Sequence, residues 1–281
     1  MKIKIAADST CDLSPELLEQ YDISVLPLYV TLGDRTLADG REVSPEEIYA
    51  HVGAGGKTPS TSAISVADYE EFFKAQLADC DALVHFHISQ SMSCCYQNAV
   101  IAAEGLEVYP VDSANLSTGI GLLVLEAAEL AREGKLSAKE IQAEMNRRRE
   151  KLDVSFVVDT LEYLRKGGRC TALAALGANL LSLKPCIEVH DGAMGVGKKY
   201  RGSLEKCVLQ YVRERMEGRY DIDTRRIFIT ESGGYPDEQI EAVRTALLKY
   251  QPFEEILHTR AGCTVSSHCG PGTLGILFYR K

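Results

Sequence analysis

The chain lacks several features that would restrict its function at once. No apolar run approaches the roughly 20 residues that a membrane-spanning helix needs, so we expect no span. No Cys-x-x-Cys pair occurs among the nine cysteines, so neither a zinc ribbon nor a thioredoxin-like motif is supported. The basic residues form no stripe and the net charge is −9, which argues against a nucleic-acid partner.

Two further absences bear on location. The chain begins Met1-Lys-Ile-Lys4, so charge enters too early for a secretory signal peptide. The cysteine count is odd, and a chain of 281 residues does not need disulfides to be stable. We therefore expect free thiols in the reducing environment of a cytoplasm.

The composition, 45% hydrophobic and 25% charged, is that of a globular protein with a core of normal size. Up to about residue 153, predicted strands alternate with predicted helices. The strands follow apolar or alternating patterns over Lys2–Ala7, Ile23–Val30, Ala82–Ile88 and Leu106–Ser113. This alternation predicts a Rossmann-like α/β/α domain with a parallel sheet, in which ligands bind beyond the carboxyl ends of the strands.

The stretch Ile88–Ala99 is central to the predicted function. Ser89, Ser91 and Ser93 lie where a buried strand turns into a helix. The first N–H groups of a helix have no internal partner and carry partial positive charge. A serine hydroxyl there can cap the helix or help to hold an anion, and the residue pattern alone leaves both roles open.

The segment Gly53–Ser62 looks like a phosphate-binding P-loop but does not fit the pattern. The motif requires a glycine where His51 stands and a strand where the preceding sequence is helical. We therefore expect a polar surface loop carrying Thr61 and Ser62, and we find no nucleotide-binding loop that would make this chain a kinase.

The sequence pattern changes after Asp153, where we expect a second, α+β domain, so the predicted domains are residues 1–153 and 154–281. Thr171–Leu183 is predicted to be a buried helix because it carries no charge, either plain core or one wall of a tunnel. Other predicted elements are a strand Val154–Val158, a hairpin turning at Asp191-Gly192, a helix Ser203–Met216, a strand Arg226–Thr230, a helix Pro236–Tyr250, a strand Glu254–Thr259 and a closing turn and strand over His268–Phe278.

An ordered set of short motifs runs the length of the chain. They are Asp8-Ser-Thr-Cys-Asp12, Thr61-Ser62, Ser89–Ser93, Val111-Asp-Ser113, Leu164-Arg-Lys-Gly-Gly-Arg169, Lys184-Pro185 and His268-Cys-Gly-Pro-Gly-Thr273. Each motif alone is weak, but in this order the set resembles the DegV family over essentially the whole chain.

The resemblance implies a bacterial, cytoplasmic, non-catalytic protein that binds one long-chain fatty acid in a tunnel between two domains. It implies that the carboxylate is held by Thr61, in the loop with Ser62, and by Ser93, with Arg169 and His268 nearby. It also implies a separate ATP-dependent fatty acid kinase, which converts the presented acid to acyl phosphate for phospholipid synthesis. No cofactor or metal is implied.

The chain departs from the family pattern at two places. Ala63-Ile64 follows Thr61-Ser62, where the family usually has Gln-Pro, and Cys94-Cys95 follows Ser93, where it usually has Gly-Thr. Both hydroxyls remain. The cysteine pair changes the shape and polarity beside Ser93, so the ligand or its presentation can differ.

Other roles for these residues remain open on the pattern alone. The alternative function is a serine or cysteine acyl hydrolase or acyltransferase that uses Ser93 or Cys94 as the nucleophile with His268. No Gly-x-Ser-x-Gly elbow occurs to support it. Arg169 can cap a helix or pair with an aspartate. A metal site could use the acidic residues Asp8 and Asp112 or the histidines His85 and His87, which share one strand face. We prefer a hydrogen-bonded structural role for both sets.

Overall fold

The computed structural model describes residues 1–170 and 183–281. The strands are β1 (Ile3–Asp8), β2 (Ile23–Leu26), β3 (Tyr29–Leu32), β4 (Arg35–Ala38), β5 (Ser60–Ser62), β6 (Ala82–His87), β7 (Val108–Asp112), β8 (Leu152–Val157), β9 (Leu183–His190), β10 (Ala193–Arg201), β11 (Ile222–Glu231), β12 (Glu255–Arg260) and β13 (Leu274–Arg280). The helices are α1 (Pro15–Tyr21), α2 (Pro45–Gly53), α3 (Val66–Leu77), α4 (Cys95–Ala102), α5 (Thr118–Glu133), α6 (Ala138–Arg148), α7 (Glu162–Gly167), α8 (Leu204–Met216), α9 (Asp237–Tyr250) and α10 (Cys263–Cys269). None of these helices is long and apolar enough to cross a membrane.

The first sheet is parallel and has the strand order β2-β1-β6-β7. All six residues of β6 are buried, as expected for a strand covered by helices on both faces. The chain moves outward from β1 to β2 on one side and to β6 and β7 on the other. The strand order therefore reverses between β1 and β6, and a crevice opens beyond their carboxyl ends. The predicted α/β architecture with a parallel sheet is confirmed.

The second sheet is mixed and has the order β10-β9-β8-β13-β11-β12, with only β11 and β12 running parallel to each other. One apolar cluster packs α8 and α9 against this sheet. A larger cluster is continuous between the two sheets and includes Ile5 of β1, Phe156 of β8 and Leu277 of β13. The two sheets thus share a core, and the division at residues 153 and 154 stays a prediction.

A third, small sheet has the order β4-β3-β5, which the sequence did not predict. The strand expected over Ile23–Val30 is wrong as a single unit: it breaks at Pro27, and β3 begins at Tyr29. The loop expected over residues 53–62 is also wrong at its end, where Thr61 pairs with Val30. Pro27 supplies no backbone donor, so the chain can leave the parallel sheet at that residue.

Helix α10 is a second correction, because the sequence predicted a turn at His268 and no helix before it. Its first N–H groups are bonded by carboxylates far away in the sequence. Asp39 accepts from Cys263 N–H at 2.7 Å and Thr264 N–H at 3.0 Å, and Asp12 accepts from Gly262 N–H at 2.8 Å. A short helix that begins after a glycine therefore depends on caps 224 to 250 residues earlier.

The helix predicted over Thr171–Leu183 falls largely on residues 171–182, which lie outside the described part of the chain. Leu183 itself was predicted incorrectly, since it begins β9. The hairpin turn at Asp191-Gly192 is confirmed between β9 and β10, with both residues at positive φ. Capping boxes with a glutamate three residues later begin α2 at Ser44 and α6 at Ser137.

We predict that Asp39→Ala lowers the free energy of unfolding by at least about 1–2 kcal/mol, because two helix N–H groups lose their acceptor. Asp39→Asn keeps one acceptor oxygen and should lose less. Urea unfolding measures both, with Asp34→Ala on an exposed turn as the control. Equal stability of the Asp39→Ala and Asp34→Ala variants would contradict the capping role.

Candidate functional site

All five residues that the sequence predicts for the site, Thr61, Ser62, Ser93, Arg169 and His268, line one cavity. The cavity contains about 530 Å³ of space, part of it open to solvent. It adjoins the carboxyl end of β6, at the crevice that the strand order predicts. The rest of its lining is mainly apolar: Leu28, Ala63, Ile88, Met92, Leu116, Met194, Thr264, Val265 and Cys269.

Thr61 and His268 form one polar pair of the cavity. Thr61 lies on β5 and His268 on α10, and their Oγ1 and Nε2 atoms are 2.8 Å apart. Burial, with a smaller contribution from the positive charge of Arg169, lowers the pKa of His268 to about 4. The imidazole is therefore neutral near pH 7. A Cβ at Gly167 would lie 2.2 Å from His268 Nδ1, so the ring occupies space that only a glycine leaves free.

The three serines of the turn before α4 have different surroundings. Ser93 alone lines the apolar cavity; its Oγ donates to Cys95 Sγ at 3.1 Å and accepts from Cys95 N–H at 3.3 Å. Ser89 donates to the Gly192 carbonyl at 2.7 Å, which ties the turn to the tip of the β9–β10 hairpin. Ser91 is exposed and borders a separate, polar cavity. The Ser93 hydroxyl thus accepts from the first N–H group of α4, and Ser93 also lines the candidate site.

Arg169 is the only charged side chain among the described residues of the lining. The Arg169 side chain is exposed, and its guanidinium donates to the carbonyls of Gly167 at 2.9 Å and Met92 at 3.5 Å. These two bonds fix the position of the guanidinium. A cation beside two hydroxyls and a neutral imidazole suits an anionic or polar headgroup.

A buried polar chain lies beneath the site. Tyr69 donates to Asp8 Oδ1 at 2.7 Å, His85 Nδ1 lies 2.9 Å from His87 Nε2, and His87 Nδ1 lies 3.2 Å from the Val111 carbonyl. Burial raises the pKa of Asp8 to about 8 and lowers the pKa of His87 to about 3. It also holds the pKa of His85 well below its ordinary value, so these groups are mostly uncharged at neutral pH.

Asp8, His85 and His87 are also the one cluster of metal-ligand residue types in the part of the chain that the structure describes, with ligand atoms within 4.8 Å of each other. Their geometry is serial, however. The Val111 carbonyl can only accept, so His87 Nδ1 carries the proton and its Nε2 accepts from His85 Nδ1. The opposite nitrogen, His85 Nε2, lies 4.0 Å from Asp8. The lone pairs therefore do not converge on one point, and two separate hydrogen-bonded pairs, Tyr69–Asp8 and His85–His87, describe the cluster better than a chelate does.

Asp112, the other candidate metal ligand, accepts hydrogen bonds from Gln90 N–H at 3.1 Å and Ala114 N–H at 3.0 Å. Its carboxylate also lies 3.6 Å from Arg149. It therefore orients the loops after β6 and β7.

The acyl-hydrolase alternative requires a nucleophile bonded to a base. His268 bonds to Thr61, Ser93 bonds to Cys95, and Cys94 Sγ lies 3.9 Å from the Asn98 amide nitrogen. None of these contacts pairs His268 with Ser93 or Cys94. The described geometry therefore gives the hydrolase alternative no support.

A second chamber adjoins the first, and the sequence did not predict it. It contains about 330 Å³ and shares Leu116, Val265 and Cys269 with the first cavity. Two of these residues lie on α10, whose spacing of cavity residues at 264, 265, 268 and 269 fits one helix face. That spacing was the sequence signal for a helix at this position, but the short segment beside Gly-Pro-Gly was interpreted as a turn. The tunnel wall expected at Thr171–Leu183 lies outside the described residues, apart from Leu183.

Comparison with known proteins gives a consistent result. A family model described as an uncharacterised protein of the DegV family matches residues 2–281. A DegV domain-containing protein of Deinococcus radiodurans is 34% identical, and the match covers 98% of each chain. A fatty acid-binding protein of Thermotoga maritima is 31% identical over 98% of this chain and 96% of its own length.

Two solved structures are similar over the whole length of both chains. One is described as showing fatty acid binding of a DegV family protein from Thermus thermophilus, with a TM-score of 0.88 and 34% identity. The other is DegV of Bacillus subtilis, described as a fatty acid binding protein, with a TM-score of 0.85 and 25% identity.

We predict that His268 does not take up a proton until the pH falls to about 4. Its folded pKa is below the unfolded value of 6.5, so its contribution to stability is present above pH 6.5 and is lost as the pH falls through 4. The stability advantage of the wild type over His268→Gln should shrink across this window, by up to about 1.4 kcal/mol per pH unit.

Urea unfolding of both proteins at several pH values isolates this contribution, because Asp8 and Asp12, whose raised pKa values act in the opposite direction, are common to both. NMR titration of the assigned His268 ring is the direct check. A midpoint near 6.5 would show that the ring is solvated and the prediction wrong.

Proposed function

The chain belongs to the DegV family, and on that premise we propose that it binds a long-chain fatty acid, with the carboxyl group at Thr61 and Ser93 and the alkyl chain in the adjoining cavity. The observation that carries this proposal is the cavity itself. Polar residues from four distant parts of the sequence line one mainly apolar space.

The headgroup end supplies what a carboxyl group needs. A buried charge without partners is very costly, so its oxygens must be hydrogen-bonded. Hydroxyls of Thr61 and Ser93 would each contribute roughly 1.5–3 kcal/mol in a bond to a charged acceptor. Arg169 would offset part of the negative charge, and Ser62 lies beside Thr61 in the same lining. His268 would hold the Thr61 hydroxyl in place through its 2.8 Å contact.

The apolar end supplies most of the affinity. Each buried methylene contributes about 0.8 kcal/mol, so a long chain outweighs the headgroup contacts. The shared wall of Leu116, Val265 and Cys269 would let the chain continue from the first cavity into the second chamber. In this arrangement the hydroxyls decide which end of the ligand faces the mouth, and the chambers decide how tightly it is held.

The protein would present the acid and leave the chemistry to another protein. We propose that a separate ATP-dependent fatty acid kinase phosphorylates the bound acid to acyl phosphate, for phospholipid synthesis in a bacterial cytoplasm. The exposed position of Arg169 near the mouth supports presentation to a second protein. The lack of a nucleotide loop in the sequence and of a nucleophile–base pair at Ser93 or Cys94 is consistent with a non-catalytic carrier that uses no cofactor.

We predict that Ser93→Ala and Thr61→Val each leave the protein folded and weaken oleate binding by about 10- to 100-fold, the effect of losing one hydrogen bond to a charged group. Isothermal titration on delipidated protein measures the dissociation constants, and melts with and without oleate measure the ligand-induced shift.

Ser91→Ala is the matched control, because Ser91 lies on the same turn but borders the other cavity. The assignment fails if both site variants keep the wild-type affinity. Hydrolysis of p-nitrophenyl esters that disappears in Ser93→Ala would instead support an esterase.

We further predict that acyl phosphate forms only when a fatty acid kinase and ATP are added to the loaded protein. Trapping with hydroxylamine detects the product. Acyl phosphate formed by this chain and ATP alone would contradict the non-catalytic role.

A further inference from the structure

Thr264 has a feature that the proposed function does not use. It lines the first cavity and is only 4% exposed, and its buried hydroxyl has no hydrogen-bond partner among the residues that the structure describes. The backbone N–H of Thr264 is already bonded to Asp39. The unsatisfied group is therefore the side-chain hydroxyl alone, and it belongs to the wall of a ligand cavity.

An unpartnered buried hydroxyl destabilises a protein, because it has lost its bonds to water and gained none in return. Valine has nearly the same shape and would avoid this loss in an apolar wall. The neighbouring wall residue Val265 shows that this helix does carry valine where it faces the cavity. Because Thr264 borders the cavity, a bound molecule can supply the missing partner of its hydroxyl.

We propose that the natural ligand is an acyl chain that carries a second polar group, a hydroxyl or keto oxygen within the chain, and that Thr264 binds this oxygen. The inference rests on the proposed function, because it assumes that a fatty acid occupies the cavity. It adds the chemical class of the ligand: an oxygenated fatty acid in preference to a plain one.

The position of that oxygen follows from helix geometry. Thr264 and His268 are four residues apart on α10, so they share a face and are separated by about 6 Å along the axis. With the carboxyl group near His268 and carbon–carbon bonds of about 1.5 Å, an extended chain covers this distance in roughly four to six carbons. The oxygen should therefore lie on about the fifth or sixth carbon.

The chain offers a matched control on the same helix. Within the described part of the chain, Ser267 also has a buried hydroxyl without a partner, but it is not among the residues that line the cavity. Removing either hydroxyl relieves a buried unsatisfied group, so both Thr264→Val and Ser267→Ala should preserve or raise the melting temperature of the ligand-free protein. Only Thr264→Val should change the choice of ligand.

The experiment compares stearic acid with its isomers hydroxylated on the fifth, sixth or twelfth carbon, titrated into delipidated wild type, Thr264→Val and Ser267→Ala. In the wild type and in Ser267→Ala, we expect a hydroxyl on the fifth or sixth carbon to strengthen binding about 3- to 10-fold relative to one on the twelfth, the effect of one neutral hydrogen bond. In Thr264→Val this positional preference should disappear.

A wild type that binds all four acids without positional preference overturns this inference and leaves the fatty-acid proposal intact. A preference that Thr264→Val retains also overturns it, because the bond would then be made elsewhere. If none of the acids binds to the wild type, both proposals fail.

Discussion

The cavity depends on one interaction, the capture of the first N–H groups of α10 by Asp12 and Asp39. These carboxylates come from the first part of the chain, whereas α10 comes from its last 20 residues. The helix has seven residues, too few to be stable by itself. Once it is capped from outside, it supplies His268 to the lining of the first cavity, and Val265 and Cys269 to the linings of both chambers.

The site and its surroundings are kept uncharged by burial. The pKa of Asp8 is raised to about 8, and the pKa values of His87 and His268 are lowered to about 3 and 4. At neutral pH, Arg169 then carries the only formal charge among the described residues that line the first cavity. In the proposed function, a single cation among the neutral groups of the first cavity would give an acid a defined direction of entry. The same arrangement would let a small polar end orient a ligand whose affinity comes mostly from its chain.

The sequence predicted the parallel sheet well because its signals are local. The buried run of β6, the caps at Ser44 and Ser137, and the alternation of strands and helices all follow from neighbouring residues. The approach of Thr61 to His268 follows from no local pattern, since 207 residues separate them, and only the resemblance to a family placed them in one site.

The failures have physical causes. Helix α10 was missed because its caps are distant, and a short segment beside Gly-Pro-Gly looks like a turn until those caps are known. The edge strand β5 was missed because Ser60–Ser62 has a polar sequence. Its partner β3 was also missed as a separate strand, because it begins only after the break at Pro27. The second chamber is a gap between α10 and strands of the mixed sheet, and no sequence pattern records the size of a gap.

The cysteine pair next to Ser93 has a practical consequence. Cys94 is exposed, Cys80 is partly covered, and the other seven thiols are buried. A maleimide dye should therefore react first at Cys94, one residue from the serine that faces the cavity. An environment-sensitive fluorophore at that position would turn the unmodified sequence into an optical reporter of whether the pocket is filled.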